Sequence, residues 1–174
     1  NGVKDQVRTT TYAYTGHGNG MLASIAVDGP ITGTGDQVVS RYDATGALTA
    51  QENSIGSVTY ADYNALGQPG KVTGLNGDVV EFAYDAQGRL VRERRFPGGP
   101  AADTTYRYLS SGLLGAVTQP DGQVRTYAYD AARRLVAESE PEAGGSHAVI
   151  EYTRDPMSLV TQTVVRSGAR PISP

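Results

Sequence analysis

Three features of the 174-residue sequence predict an all-β protein built from repeated antiparallel β-hairpins. A heptapeptide that begins with Tyr-Asp recurs about every 21 residues, aromatic and β-branched residues alternate before it, and Asp-Gly or Asn-Gly pairs stand between the strand patterns. Alternation with a period of two indicates strands, and Asp-Gly or Asn-Gly between two such runs is a strong hairpin signal. The expected fold is therefore one long, twisted antiparallel sheet.

The clearest copy of the heptapeptide is Tyr84-Asp85-Ala86-Gln87-Gly88-Arg89-Leu90. Residues 42–48 and 129–135 repeat it closely, residues 63–67 and 108–114 more weakly, and Tyr14 and Tyr152 open the most divergent copies. A fixed period of this length is typical of repeat proteins, and it has to be read before any single residue is given a role. The residues expected to mark the repeat are Tyr42, Asp43, Gly46, Leu48, Tyr63, Asn64, Gly67, Tyr84, Asp85, Gly88, Arg89, Leu90, Tyr108, Gly112, Leu114, Tyr129, Asp130, Arg134 and Leu135.

Each period reads as two strands and two turns. The tyrosines end one strand. A turn follows, formed by Asp or Asn and by Gly, because the Asp or Asn side chain can bond the backbone two residues on and Gly tolerates positive φ. A second strand follows and ends at an Asp-Gly, Asn-Gly or Pro-Gly turn. No segment combines a helical period with a cap. Strands are predicted at about 79–84, 89–95, 104–108, 114–119 and 124–129.

Composition narrows the possible functions. The net charge of −3 gives no basic footprint for nucleic acid and no polybasic membrane patch, and no apolar run approaches the length of a membrane span. The absence of cysteine excludes disulfides and thiolate metal sites. Large aliphatic residues are few, whereas the eleven tyrosines follow the repeat, so we expect thin cores in which tyrosines pack across strands. Tyrosines displayed for sugar stacking are the alternative.

The Tyr-Asp-x-x-Gly-Arg-Leu heptapeptides resemble those of the RHS/YD-repeat family over nearly the whole chain. The resemblance implies a sheet wound spirally into a hollow shell, which encloses a toxic or variable C-terminal domain in bacteria or forms an extracellular barrel in animal adhesion receptors. It also implies a secreted or cell-surface protein. Residues 1–174 are then expected to be a single run of about six to seven repeats from a longer shell. The family's self-cleavage signature is not matched, because residues 155–159 resemble it only superficially.

The residues that could carry chemistry are interpreted as structural. His17 and His147 stand among glycines at predicted turns, where solvated histidines are expected, and no zinc motif is visible. The glycine-rich segment 16–20 lacks the helix that a phosphate loop requires, and residues 33–36 offer too few ligands for calcium. The repeated aspartates are explained by the turns. No catalytic residue, cofactor site or metal site is predicted.

The charged residues on or near the predicted strands are also interpreted as structural. Arg92, Arg94 and Arg95 are interpreted as a solvated strand face, and Asp103 is expected at a hairpin tip, where its replacement would be silent. Arg89 is expected to be a surface cation of little energetic weight.

The sequence therefore predicts a non-catalytic structural segment that encloses or scaffolds another domain, a toxin in the bacterial case. Its expected partners are adjoining repeats and an enclosed domain of the same polypeptide, and its free sheet edges are expected to favour self-association. The alternative is an extracellular module that binds carbohydrate or protein through exposed tyrosines. An enzyme has no residue constellation in its favour.

Overall fold

The structure is a computed structural model that describes residues 7–96 and 99–172. It confirms the predicted fold class, since the described chain consists of antiparallel strands joined by turns. Within the described residues the only helical element is the three-residue 3-10 turn Ala143–Gly145. The strands are β1 (Thr11–Gly16), β2 (Leu22–Asp28), β3 (Val38–Tyr42), β4 (Leu48–Asn53), β5 (Gly56–Ala61), β6 (Lys71–Thr73), β7 (Val79–Tyr84), β8 (Leu90–Arg95), β9 (Ala102–Tyr108), β10 (Leu114–Thr118), β11 (Val124–Tyr129), β12 (Leu135–Pro141), β13 (His147–Arg154) and β14 (Val160–Ala169).

The fourteen strands follow one another in the sheet in the order of the sequence, with β1 and β14 at its two ends. Each pairing thus joins chain neighbours, as expected when every strand is linked to the next by a short turn. The five strands predicted from the sequence agree with β7 to β11 to within two residues at either end.

The described chain forms two compact units. One holds residues 7–82, 95–96 and 99, and the other holds residues 83–94 and 100–172.

The most buried part of the second unit is a row of small residues that crosses four strands. Ala116 pairs with Thr126, Thr126 with Ser139, and Ser139 with Val149. The four are between 0% and 8% exposed. The hydroxyls of Thr126 and Ser139 bond each other at 2.6 Å, and Thr126 Oγ1 also donates to the carbonyl of Ile172 at 3.0 Å. Small side chains here let the segment after β14 lie against the sheet, and the paired hydroxyls are satisfied as buried polar groups must be.

The first unit has an even thinner core. Among its described residues only Ala50 is a buried apolar side chain, at 8% exposure. Tyr60, Val72 and Val80 lie side by side on β5, β6 and β7 and are half-buried. Arg41 of β3 and Glu52 of β4 form an ion pair at 2.9 Å across neighbouring strands. Lateral strand pairing, rather than burial, is therefore the main source of order in this unit.

The expectation that tyrosines form buried cores is wrong. Within the described chain no tyrosine is fully buried, and Tyr12 and Tyr14 on β1 are 60% and 63% exposed. The other nine are half-buried. A single sheet offers each side chain neighbours on its own face only, whereas full burial of a large ring requires a second layer packed on top.

The turns after the tyrosines share one backbone conformation, whose fourth residue has positive φ. That residue is Gly46, Gly67, Gly88 or Gly112 in four copies, but Arg133 at +65° and Ser158 at +70° in the last two. Positive φ is strained for residues that carry a Cβ. The two C-terminal copies therefore carry local strain that the others avoid.

We predict opposite effects for two substitutions at this conformation. Arg133→Gly should stabilise the chain by about 0.5 kcal/mol, because relief of strain outweighs the entropy of the added glycine. Gly122→Ala should destabilise it by about 1 kcal/mol, because Gly122 has φ of +84° with open space around it, so only backbone strain is introduced. Urea unfolding midpoints measure both. Equal midpoints for the two variants would contradict the assigned turn conformation.

Candidate functional site: the repeated turn and its tyrosine

The turns that hold residues 2 to 6 of each heptapeptide close with the same two backbone bonds. In residues 85–89 the N–H of Asp85 donates to the carbonyl of Arg89, and the N–H of Gly88 donates to the carbonyl of Asp85, both at 2.9 Å. This is a type I turn followed by a left-handed residue, a known three-residue hairpin loop that ends in a bulge. The same pair of bonds closes the turns at residues 43–47, 64–68, 109–113, 130–134 and 155–159.

Both oxygens of the carboxylate that opens the turn accept hydrogen bonds from residues of the same turn. Asp85 Oδ1 accepts the N–H groups of Gln87 and Arg89 at 3.0 and 2.9 Å, and Oδ2 accepts Arg89 Nε at 2.7 Å. Asp130 likewise accepts the backbone N–H of Arg134 at 2.9 Å and Nε of the same arginine at 2.7 Å. The bonds to donors stabilise the charged form of each carboxylate. A carboxylate so bound has a structural use, and none of these groups is presented for acid–base chemistry.

Asn64 shows that the turn itself does not need the charge. Its Oδ1 accepts the N–H groups of Leu66 and Gln68 at 2.9 and 3.1 Å, as an aspartate does elsewhere. An amide oxygen is a sufficient acceptor for the loop.

The leading tyrosine of one repeat is tied to the preceding repeat by its hydroxyl. Tyr63 donates to the carbonyl of Leu48 at 2.6 Å, Tyr108 to that of Leu90 at 2.9 Å, and Tyr129 to that of Leu114 at 3.0 Å. The accepting leucine is in each case the seventh residue of the preceding heptapeptide, where β4, β8 or β10 begins. The half-buried phenol therefore joins two consecutive turns.

The last copy departs from this pattern. The hydroxyl of Tyr152 bonds Glu138 Oε1, and the carbonyl of Leu135 instead accepts Nε and Nη2 of Arg154, both at 3.2 Å. The acceptor is kept while the donor changes from a phenol to a guanidinium. The backbone carbonyl that opens the second strand is thus satisfied in this repeat as well.

Arg89 links its own turn to the next repeat. Its guanidinium, held by Asp85, lies over the ring of Tyr108, with 4.5 Å from the central carbon to the ring centroid. A cation over a tyrosine ring is attractive. The expectation that Arg89 is a surface cation of little weight is therefore wrong, and Arg89→Ala would remove an ion pair and a ring contact together.

Two further interpretations are corrected by cross-strand ion pairs. Asp103 lies in β9, not at a hairpin tip, and it accepts Nε and Nη2 of Arg94 at 2.7 and 2.8 Å. Neither residue is a free solvated charge, because the forked guanidinium matches the carboxylate. Arg125–Glu140 and Arg166–Glu151 form further pairs. Opposite charges on strands joined by a hairpin are the sequence signal for such pairs, but choosing the partners requires the register.

The two histidines are held by the backbone and are half-buried. The Nε2–H of His17 donates to the carbonyl of Tyr42 at 2.9 Å, and that of His147 donates to the carbonyl of Val124 at 3.3 Å. A carbonyl can only accept, so Nε2 carries the proton in both. The expectation of solvated turn histidines is wrong, because each ring joins its segment to a neighbouring strand or turn.

The described residues contain neither a metal-binding cluster nor a helix that could span a membrane. Over residues 7–96 and 99–172 no group of three or more His, Asp or Glu side chains is placed to hold a metal ion. Nor does this part of the chain contain a helix long and apolar enough to cross a membrane. A groove of about 740 Å³ lies in the second unit. Its acid Glu142 is bound by the N–H of Gly168 at 2.9 Å.

These features define an all-β hairpin-repeat protein whose motif residues hold one turn to the next. Residues 108–146 match the model of the RHS repeat, so the resemblance to the RHS/YD-repeat family is confirmed and the chain carries an RHS repeat. No curated protein matches the sequence significantly.

Solved structures share the fold. The TcdB2-TccC3-Cdc42 crystal structure superposes with a TM-score of 0.63 at 16% identity. A Tc holotoxin pore of Photorhabdus luminescens, with a TccC3 variant, gives a TM-score of 0.62 at 16% identity. In both, the match covers 92% of this chain but 10% of the solved chain. At this identity the likeness establishes the fold, and this chain spans about a tenth of the length of those proteins.

We predict that Asp130 contributes stability that acid removes. The N–H of Arg134 above all holds the pKa of Asp130 below its ordinary value; burial opposes it, and the Arg134 guanidinium adds a smaller lowering effect. A depressed carboxyl pKa gives stability that is present above the unfolded pKa and is lost as pH falls through the folded pKa. Urea midpoints should therefore decline as pH falls below about 5, and Asp130→Asn should decline less steeply.

The control for this experiment is Asp121→Asn. Asp121 is exposed and its Oδ1 accepts the N–H of Gln123, but no arginine bonds it within the described chain. Its variant should follow the wild-type decline. An Asp130→Asn profile parallel to that of the wild type would contradict the assigned role of the Asp130 carboxylate.

Proposed function

We propose that this chain is a non-catalytic segment of an RHS/YD-repeat shell that encloses or scaffolds another domain of the same polypeptide. The observation that carries the proposal is the use of the repeated polar groups. The aspartates cap turns, the tyrosine hydroxyls bind preceding turns, and the arginines bind aspartates. Each repeat extends the sheet by the same step, and no copy holds its motif residues apart for a reaction.

The thin core supports a wall rather than an independent catalytic domain. In the described chain four apolar residues are buried: Ala50, Ala116, Val117 and Val149. A sheet with so little covered surface gains order from its lateral neighbours. The end strands β1 and β14 have mostly exposed side chains. Unpaired edges invite further strands, so we propose adjoining repeats as partners of both.

The solved relatives favour a separate, variable domain as the second partner. One of them is described as TcdB2-TccC3 without its hypervariable C-terminal region; it has a TM-score of 0.62 and 16% identity, and it too is covered over 10% of its length. A uniform repeat wall beside a region that varies is the arrangement expected when the wall is not specific for its contents. We further propose a bacterial toxin-associated protein that acts outside the cell, and a single run of six to seven repeats over residues 1–174.

A display surface is the second candidate, and one observation favours it. Tyr12 and Tyr14 on β1 are 60% and 63% exposed, so two rings are free to stack on a sugar or a protein side chain. Quenching of tyrosine fluorescence by acrylamide separates the candidates. If the chain is a display surface, a bound ligand should protect Tyr12 and Tyr14 from quenching. If it is a wall, adjoining repeats should protect them instead.

Enclosure is tested by limited proteolysis of the full parent polypeptide. The domain that follows the repeats should be digested at least about tenfold more slowly in the parent than when it is isolated, because cleavage follows the population of accessible chain. A parent that lacks residues 7–172 should lose this protection. If the domain is digested at the same rate with and without these repeats, enclosure is wrong and the display surface becomes the better account.

A further inference from the structure

Of the three heptapeptides that begin with Tyr-Asp, the one at residues 42–48 lacks the arginine that fills the space between consecutive turns in the other two. The sixth residue follows the residue with positive φ, and it is Arg89 in residues 84–90 and Arg134 in residues 129–135 but Ala47 in residues 42–48. Where the arginine is present it reaches the next turn. Arg89 covers the ring of Tyr108 beside Gly112, and Arg134 Nη1 donates to Ser158 Oγ at 3.1 Å.

The equivalent space beside Ala47 is an open groove of about 480 Å³. Its lining includes Ala47, Leu48, Tyr63 and Gly67. These are the counterparts of Arg89, Leu90, Tyr108 and Gly112, respectively, in the repeat register. The correspondence is also geometric, because Tyr63 donates to the carbonyl of Leu48 as Tyr108 donates to that of Leu90. Ala47 and Tyr63 thus line one groove, at the positions where Arg89 and the ring of Tyr108 lie against each other in the later repeat.

The negative charge that holds the arginine is also retained. Asp43 Oδ1 accepts the N–H groups of Thr45 and Ala47 at 2.8 and 3.0 Å, as well as Thr45 Oγ1 at 2.6 Å. In Asp85 and Asp130 the second oxygen takes Arg Nε, but over the described residues no arginine bonds Asp43. The bond from Thr45 and the turn amides lower the pKa of Asp43, which keeps it charged. The groove, which the side chain of Tyr63 lines, therefore adjoins a turn whose ionised carboxylate is bonded to the N–H of the lining residue Ala47.

We propose that this groove, lined by Ala47, Leu48, Tyr63 and Gly67, is together with the carboxylate of Asp43 in the adjoining turn a binding site for a guanidinium group. The ligand is an arginine, either a side chain on another polypeptide or the free amino acid. It stacks on Tyr63 while its N–H groups meet the free oxygen of Asp43, in the arrangement that the chain builds internally with Arg89. A planar fork with five donors satisfies both contacts, whereas an ammonium satisfies the charge alone. The inference does not depend on the proposed shell function.

The site is tested with N-acetyl-arginine amide titrated into the 174-residue chain, with the Tyr63 ring resonances followed by NMR. Exposed contacts of this kind are weak, so the expected Kd is on the order of 10 mM. The ring resonances should shift saturably. N-acetyl-citrulline amide, which is planar but uncharged, should not shift them, and N-acetyl-lysine amide should shift them at least about threefold more weakly.

Three variants make the test specific. Ala47→Arg fills the groove internally and should abolish the shift while raising the urea midpoint. Asp43→Asn should weaken binding at least about fivefold without loss of the turn, because Asn64 makes the same turn bonds in the next repeat. Arg89→Ala opens a matching groove and should add a second saturable shift, at Tyr108.

The source of the guanidinium is separated by two further titrations, one with the blocked peptide Gly-Arg-Gly and one with free arginine. Binding at least as tight as that of free arginine assigns the site to an arginine of a polypeptide, and binding of free arginine alone assigns it to the amino acid. Two results would overturn the proposal. One is equal shifts with the citrulline compound. The other is an undiminished arginine shift in both Ala47→Arg and Asp43→Asn; the second variant keeps the test valid if the first does not fold.

Discussion

The five-residue turn is the constraint on which the other features of each repeat depend. At Asp43, Asn64 and Asp85 the side-chain oxygen that opens the turn takes two backbone N–H groups. The fourth residue of the turn takes positive φ, and the bulge that follows shifts the strand register by one residue. Such shifts occur next to Tyr42 and Tyr129, where each enters its turn. A one-residue change moves a side chain to the other face of a strand. The turn thereby decides where the tyrosine hydroxyl points, and a second turn receives it.

Stability in this arrangement is distributed along the sheet. A net gain of about 1 kcal/mol per hydrogen bond and less per exposed ion pair leaves no single contact dominant. The row from Ala116 to Val149 is the most buried part of the second unit, and its small residues allow the segment that contains Ile172 to approach. Bulky aromatic residues instead stay half-buried and contribute through their hydroxyls. In repeats coupled in this way, a substitution is expected to destabilise its own repeat and the adjacent ones, not the whole sheet.

The sequence alone was sufficient to predict local structure, that is, the strands and the turns. Strand alternation and turn residues depend on near neighbours, so β7 to β11 were predicted to within two residues. The RHS resemblance followed from the same spacing. The errors concern contacts between residues that are distant in sequence. Arg89 and Tyr108 are separated by a whole hairpin, and Asp103 meets Arg94 only in one register. The half-burial of tyrosine required knowing that no second layer covers the described sheet.

The central claim is that the hydroxyls of Tyr63, Tyr108 and Tyr129 couple their turns to the preceding repeat, and amide hydrogen exchange in Tyr129→Phe tests it directly. The variant keeps the ring and removes only the donor to Leu114. Exchange should accelerate about fivefold in β10 and β11 and stay unchanged in β13 and β14, because a lost bond of about 1 kcal/mol acts on the strands it joins. Tyr12→Phe, at an exposed ring with no hydroxyl bond in the described chain, should change nothing. Uniform acceleration across the chain, or none in β10 and β11, would contradict the account.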